Sequence, residues 1–342
     1  MDAGIAQLVA SHLSFHDINS LLATCRSLRA ATGIGIRLAS CSHHAQWVLQ
    51  FAERHAQRFT VLALKVINCS QTELDGLLRA LPGLQELNVT SRITEDRITS
   101  INAGSAVALR SLRLNQSAGF SVAGLALCPR LTTLVIHTRA GSTPAIVDLP
   151  LLRGSTLSTL HIRDGGSAAV EGLRAWSATC WPHRSALAAS LASLHLTSLR
   201  ELEDAHLPML ASFRQLRDLK LALCKRITSV RPLGQCSALR SLTLTGCEAL
   251  TDLAGLSGCT HLTSLYLTGC RALVDVTPLV HCVSLETLHL NHCNNVVDAG
   301  ELRHCPSLQL LFLRCSGVTV VPQSAGLRVQ FDNLHETRVG VM

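Results

Sequence analysis

Fourteen cysteines and sixteen histidines carry most of the reactive chemistry in this chain of 342 residues. Thiolate and imidazole can bind zinc or act as nucleophile and base, and in an oxidising compartment thiols pair as disulfides. Eight of the cysteines fall into two columns of period 23: Cys224, Cys247, Cys270 and Cys293, then Cys236, Cys259, Cys282 and Cys305. That regularity speaks against reactive roles. Zinc needs four ligands converging at about 2.0–2.3 Å, whereas neighbours in a stacked column lie roughly 4.8 Å apart. Equal phase predicts equivalent inward positions, where a free cysteine serves as a compact apolar residue. Cys69 and Cys128 share the two phases. Cys41, His43 and His44 lack a second ligand pair at finger spacing and read as a solvated turn. There is no G-x-S-x-G, P-loop or H-E-x-x-H motif. The expectation is a protein that is not an enzyme, with no catalytic residues, no metal and no cofactor.

The elements that would position these side chains follow from the leucines. L-x-x-L-x-L opens at Leu216, Leu239, Leu262, Leu285 and Leu308, each step being 23 residues. Weaker copies open at Leu191, Leu157, Leu131, Leu109, Leu84 and Val61. L-x-L places two aliphatic side chains on one face of a short strand and the residue between them on the other. A segment such as ALTDLAGLSGC, 249–259, would return along the far side as a short helix or 3₁₀ turn. One unit cannot bury its leucines alone, so neighbours must stack into a solenoid. LTSLYLTGCRALVDVTPLVHC, 262–282, resembles the leucine-rich repeat family, nearest its cysteine-containing type. The fold class expected is therefore α/β: a curved parallel sheet on the concave face, with short helices and 3₁₀ turns on the convex face. The solenoid should span 59–321 in about eleven units. A 34-residue step between Leu157 and Leu191 marks an insertion near 163–190, with a short helix at 169–177 and a turn at Pro182. Residues 322–342 read as a C-terminal cap or tail, in which LRVQF (327–331) alternates like an edge strand.

Composition bounds the class of partner. Hydrophobic residues make up 47% but aromatics only 3%, so the core must be aliphatic. The net charge of +7 comes without any block of five or six Lys or Arg, so nucleic acid is not the expected ligand. No apolar run of 18 residues occurs, and the first residues, MDAGIAQLVASHLSFHD, do not form a secretory signal. A cytoplasmic, or else nuclear, reducing compartment is expected, with the cysteines as thiols.

Residues 1–58 read as a helical block. Leu8, Val9 and Leu13 fit one helical face, Asp17 opens a second helix through Leu21, Leu22, Cys25 and Leu28, and a third is expected at 44–57. This segment resembles an F-box: Leu13 precedes Asp17-Ile18 as in that family's L-x-x-x-D-L, and Cys25-Arg26 stands at its V-C-R. The leading Leu-Pro is absent, and Leu28 replaces the usual Trp. The resemblance implies docking to a Skp-type adaptor and through it to a cullin ubiquitin ligase, with Leu8, Val9, Leu13, Ile18 and Leu22 as adaptor contacts. A helical cap on the open end of the sheet is the competing reading.

The residue between the last two leucines of each unit points away from the core. Along the units it reads Lys65, Asn88, Arg113, Val135, His161, His195, Lys220, Thr243, Tyr266, His289 and Phe312, flanked by Asp218, Arg240, Asn291, His292 and Arg314. Exposed aromatic and Arg side chains dominate interface energies. Partner binding is therefore expected at Lys220, Arg240, Tyr266, His289, Asn291, Phe312 and Arg314. The function expected is protein binding, as the substrate-recruiting subunit of a cullin-type ligase. The alternative is a structural scaffold in a cytoskeletal or ribonucleoprotein assembly.

Overall fold

A computed structural model describes residues 34–55, 59–91, 98–116, 120–138, 146–147, 152, 154–163, 186–199, 202–324, 326–331 and 336–338. The chain divides into two compact units, Met1–Leu157 and Ser158–Met342. Leu8, Val9, Leu13, Ile18 and Leu22 lie outside the described residues, as do the expected 169–177 helix and Pro182.

In the first unit, β1 (Ile34–His44), β2 (Phe59–Cys69), β3 (Glu86–Ser91) and β4 (Ser111–Gln116) pair in parallel in chain order. Two short strands, β5 (Phe120–Ser121) and β7 (Ile146–Val147), form a ladder of their own, while β6 (Thr133–Thr138) pairs with β4. Strand β1 lies within the segment expected to be helical. Its Ile34, Ile36 and Leu38 alternate with period two, and β2 supplies a ladder, Ile36 facing Val61. The helix expected at 44–57 is α1 (Ala45–His55). Helix α2 (Gln71–Ala80) starts at a capping box: Glu73 N–H donates to Ser70 Oγ at 3.1 Å, and Ser70 N–H donates to Glu73 Oε2 at 3.0 Å. It buries Leu74, Leu77 and Leu78.

In the second unit, β8 (Thr159–Arg163) and β9 (Ser193–Thr197) lead into β10 (Asp218–Lys220), β11 (Ser241–Thr243), β12 (Ser264–Tyr266), β13 (Thr287–His289), β14 (Leu310–Phe312) and β15 (Arg328–Gln330). All of these are parallel neighbours in that order. A short helix, α3 (Ala186–Ser190), precedes β9. The tail adds β15 to the parallel ladder and then turns back as β16 (Glu336–Arg338), antiparallel to β15.

Leu239, Leu242 and Leu244 are fully buried, as are Leu262, Leu265, Leu267, Leu285, Leu288 and Leu290 in the next two turns. Each such side chain contributes about 1.5–3 kcal/mol by leaving water. The return segments are 3₁₀ turns at Arg231–Gln235, Ala254–Gly258, Thr277–His281 and Gly300–His304, again 23 residues apart. The last three begin alike, with an Asp one residue before the N-cap position. The backbone N–H groups of Ala254, Thr277 and Gly300 donate to Asp252, Asp275 and Asp298 Oδ1 at 2.7–2.8 Å.

Between strand and return lies a bend with a fixed backbone demand. Ser198, Leu223, Gly246, Gly269, His292 and Cys315 all have φ between 48° and 76°. There the N–H groups of Ser198, Leu223, Gly246, Gly269 and His292 each donate to a carbonyl of the following turn at 2.8 Å. The left-handed residue turns the chain without interrupting the ladder between turns. Only two of the six are glycine, and an L-residue costs about 1–2 kcal/mol in this conformation.

Candidate functional site

The face of the second unit's sheet that points away from the leucines is the candidate surface. In-register pairing lines up His161, His195, Lys220, Thr243, Tyr266, His289, Phe312 and Gln330 in one column. A second column holds Thr159, Ser193, Asp218, Ser241, Ser264, Thr287, Leu310 and Arg328. Parallel in-register strands put like positions within contact distance, so neighbouring flat side chains stack.

They do so in two places. His161 and His195 lie face to face, ring centroids 3.7 Å apart and planes 8° from parallel. Tyr266, His289 and Phe312 form a run of three, with centroids 4.6 and 4.0 Å apart and planes 25° and 5° from parallel. Stacked aromatic contacts add about 0.5–1.5 kcal/mol each beyond area burial. Burial holds His289 below the ordinary imidazole range, which favours its neutral form.

The first stack is tied down by a carboxylate. Asp218 Oδ2 accepts from His195 Nε2–H at 2.5 Å and from Ser193 Oγ–H at 3.0 Å. Ser193 Oγ in turn lies 3.2 Å from His161 Nε2 and 3.4 Å from His195 Nε2. Burial pushes the Asp218 carboxyl up, but the hydrogen bond and charge of His195 outweigh it and hold the group below its usual value. Ser, His and Asp are together, yet not as a charge-relay triad. That chemistry needs the carboxylate on one ring nitrogen and the serine on the other. Here Ser193 and Asp218 address the same nitrogen, and the serine proton belongs to the carboxylate.

The residues expected to bind a partner separate into groups. Tyr266, His289 and Phe312 meet, each half-buried, and Lys220 stands two strands away in the same column. Arg240 is exposed at the entry to β11, and Arg314 is exposed after β14. Asn291 is a turn former: its Oδ1 accepts the Arg314 N–H at 2.8 Å, so its carbonyl oxygen already has a partner. His292 is exposed at a left-handed bend. In the first unit Lys65 and Asn88 are half-buried and Arg113 exposed, but Val135 is only 4% exposed and offers no wetted contact. Asp218 and His195 were legible as outward positions, but the bond between them and the part of Ser193 were not, because the leucine phase gives orientation and not pairing.

The cysteine columns prove to do more than fill space. Cys247, Cys270 and Cys293 Sγ–H donate to Leu221, Leu244 and Leu267 carbonyls at 3.0–3.2 Å, each 26 residues back. Cys236, Cys259, Cys282 and Cys305 do the same to Leu210, Leu233, Leu256 and Leu279 at 3.2–3.5 Å. Each thiol therefore satisfies a buried carbonyl of the turn before it. Six of these seven carbonyls, all but that of Leu221, also accept a backbone N–H, so there the thiol supplies a second, weaker donor. Desolvation pushes the Cys236, Cys247 and Cys282 thiols up to about 12, so they stay S–H near neutral pH and are poor nucleophiles. Among the described residues, no group of three His, Cys, Asp or Glu is set to hold a metal ion, and no helix is long and apolar enough to cross a membrane.

No protein-family model and no curated protein matches the chain. Solved structures similar to it include internalin C2 of Listeria monocytogenes, at 19% identity and a TM-score of 0.41, covering 72% of this chain and 84% of that one. Internalin F of the same organism stands at 16% and 0.41, covering 85% and 95%. A yeast structure of the Rad7 and Elc1 complex stands at 15% and 0.47, covering 86% and 73%. None of these carries a functional assignment to this chain. The fold rests on the chain's own pattern: 23-residue turns, leucines inward, parallel strands on one side and 3₁₀ turns on the other. The second unit has the fold of a leucine-rich-repeat solenoid, of the α/β class.

Proposed function

We propose that this chain is a protein-binding module and that its partner docks on the sheet face of the second unit. The observation that carries the reading is the Tyr266–His289–Phe312 stack, half-buried and set on rigid strands. Aromatic side chains held in fixed rotamers contribute interface energy at little entropic cost. Binding of this kind needs no bond chemistry from the chain itself.

The finer reading is a substrate-recruiting subunit of a cullin-type ubiquitin ligase. Residues 1–58 would hold a Skp-type adaptor through Leu8, Val9, Leu13, Ile18 and Leu22, by their resemblance to an F-box, while the sheet face holds the substrate. Its mechanism is proximity, a raised effective concentration of substrate at the ligase. Buried thiols that serve as S–H donors suit a reducing cytoplasmic or nuclear setting.

The test is affinity purification of the full chain beside Leu13→Asp and Tyr266→Ala/Phe312→Ala variants, with bound proteins identified by mass spectrometry. Loss of an adaptor and cullin from the first variant, and of a separate substrate from the second, is the expected result. An identical set of proteins on all three baits would sink the ligase reading and the docking face together. Loss on the second variant alone would leave a binding module or scaffold without a ligase.

A further inference from the structure

The open column of the second unit has one gap. Large side chains occupy every position from His161 to Phe312 except Thr243, which lies between Lys220 on β10 and Tyr266 on β12. Two strand spacings separate those neighbours, roughly 10 Å. A flat ring needs about 3.5 Å to each neighbour to make van der Waals contact. One ring therefore fits above Thr243, against the face of Tyr266 that His289 does not cover.

The surroundings of the gap have unmet polar capacity. Among the described residues the Ser241 and Thr243 hydroxyls make no hydrogen bond to the protein, and Arg217, Lys220 and Arg240 hold no ion pair. The reason lies one strand away. Asp218, the carboxylate between Arg217 and Lys220 in sequence, is turned toward β9 and engaged by His195 and Ser193. Arg217 and Arg240 occupy equivalent places on successive turns, since the Arg217 carbonyl accepts the Arg240 N–H at 2.8 Å. Lys220 and the Thr243 hydroxyl thus border a slot with one aromatic wall, with Ser241 two residues before Thr243 on β11 and Arg217 and Arg240 immediately before β10 and β11.

We propose that this slot is the anchor point for the partner, and that it takes an aromatic side chain flanked by carboxylates in an acidic segment of a protein. The inference rests on the reading that this face binds protein. The ring stacks on Tyr266 over Thr243, and the neighbouring carboxylates pair with Lys220, Arg217 and Arg240. A single-stranded nucleic acid fits less well. Stacking of successive bases needs open ring faces along a cationic track, and here the three rings cover one another's faces.

The experiment is selection of phage-displayed random peptides on the full chain, followed by affinity measurements on variants. Enriched peptides should carry Trp, Tyr or Phe beside Asp or Glu. Their affinity should fall at least tenfold, about 1.4 kcal/mol, in Thr243→Trp, which fills the slot, and in Lys220→Glu. Circular dichroism and urea midpoints of both variants would establish that they are folded. Peptides that need Phe312 but bind Thr243→Trp unchanged would overturn the slot and leave the docking face standing. Peptides insensitive to Thr243, Lys220, Tyr266 and Phe312 alike would overturn both. Labelled oligouridine that binds through Tyr266 and Lys220, with no aromatic-acidic peptide selected, would reassign the slot to nucleic acid.

Discussion

The two ring stacks share one column and one backbone, yet they differ in what surrounds them. His161 and His195 sit over Ser193 and Asp218, and the polar atoms of that patch are satisfied by one another. Tyr266, His289 and Phe312 have no carboxylate among their neighbours in the second column, only Ser264, Thr287 and Leu310. The first patch is closed, and its polar groups have little left to offer a ligand. The second is open, with apolar rings and unpaired hydroxyls and cations at its border. On the proposed reading, a repeat scaffold devotes identical positions to internal cohesion in one turn and to recognition three turns later. The Asp at 218, where later turns have Ser241, Ser264 and Thr287, makes the difference.

Recognition should break in the open patch by the largest margin. Tyr266→Ala/Phe312→Ala should weaken the captured partner at least thirtyfold, about 2 kcal/mol, as hot-spot truncation does, whereas His161→Gln should leave capture intact. Quantitative pull-down across the two variants measures it, and equal losses would erase the contrast.

Stability should show the opposite order. Asp218→Ala leaves His195 Nε2 and Ser193 Oγ without their shared acceptor. Because Asp218 is 39% exposed, water replaces part of the bond, and the cost should be near the low end, about 1 kcal/mol. Thr243→Ala, with no hydrogen bond to lose, should stay within about 0.5 kcal/mol of the parent. Urea midpoints compare the two.

The shared backbone is tested at the bend. Gly246 has φ 73°, and a Cβ built there would lie 2.6 Å from Leu223 Cδ2. Gly246→Ala should destabilise by about 1 kcal/mol, while Ser198→Gly after the closed patch should cost nothing or stabilise slightly. A thermal melt that ranks them the other way would mean the bends are not equivalent.

The smallest effect is in pH. His289 has a folded pKa below its ordinary 6.5, so its contribution to stability is complete above 6.5 and is lost as pH falls through the lowered value. Asp218 is held below 3.8, so its contribution is complete above 3.8 and is lost only in stronger acid. Acidification should therefore weaken the open patch first and the closed patch later. His289→Phe should remove the upper step from a plot of urea midpoint against pH and leave the lower one.

Much of this was legible in the residues. A period of 23 set the turns, the L-x-L triplets set which side chains face inward, and the alternation of LRVQF marked a further strand. These features repeat, and repetition removes ambiguity because every turn must pack against a copy of itself. The outward column was legible for the same reason, since side chains alternate along a strand. The leading strand β1 was hidden by its setting: Ile34, Ile36 and Leu38 alternate over too short a span, with Gly33 before them, Gly35 among them and a helical sequence beyond, to stand out from a turn.

What each outward residue does was decided by the tertiary structure. The sequence placed His195 and Asp218 in the same neighbourhood, but a hydrogen bond depends on rotamers that strand pairing alone selects. It marked the thiols as inward fillers, and only the stacking of turns revealed the carbonyl 26 residues back that each one meets. Asn291 was read as a recognition residue, and only the bend showed that its Oδ1 accepts the Arg314 N–H. Periodicity determines orientation, because it is a local property of the backbone. Pairing across turns determines which polar atoms are satisfied and which remain for a partner.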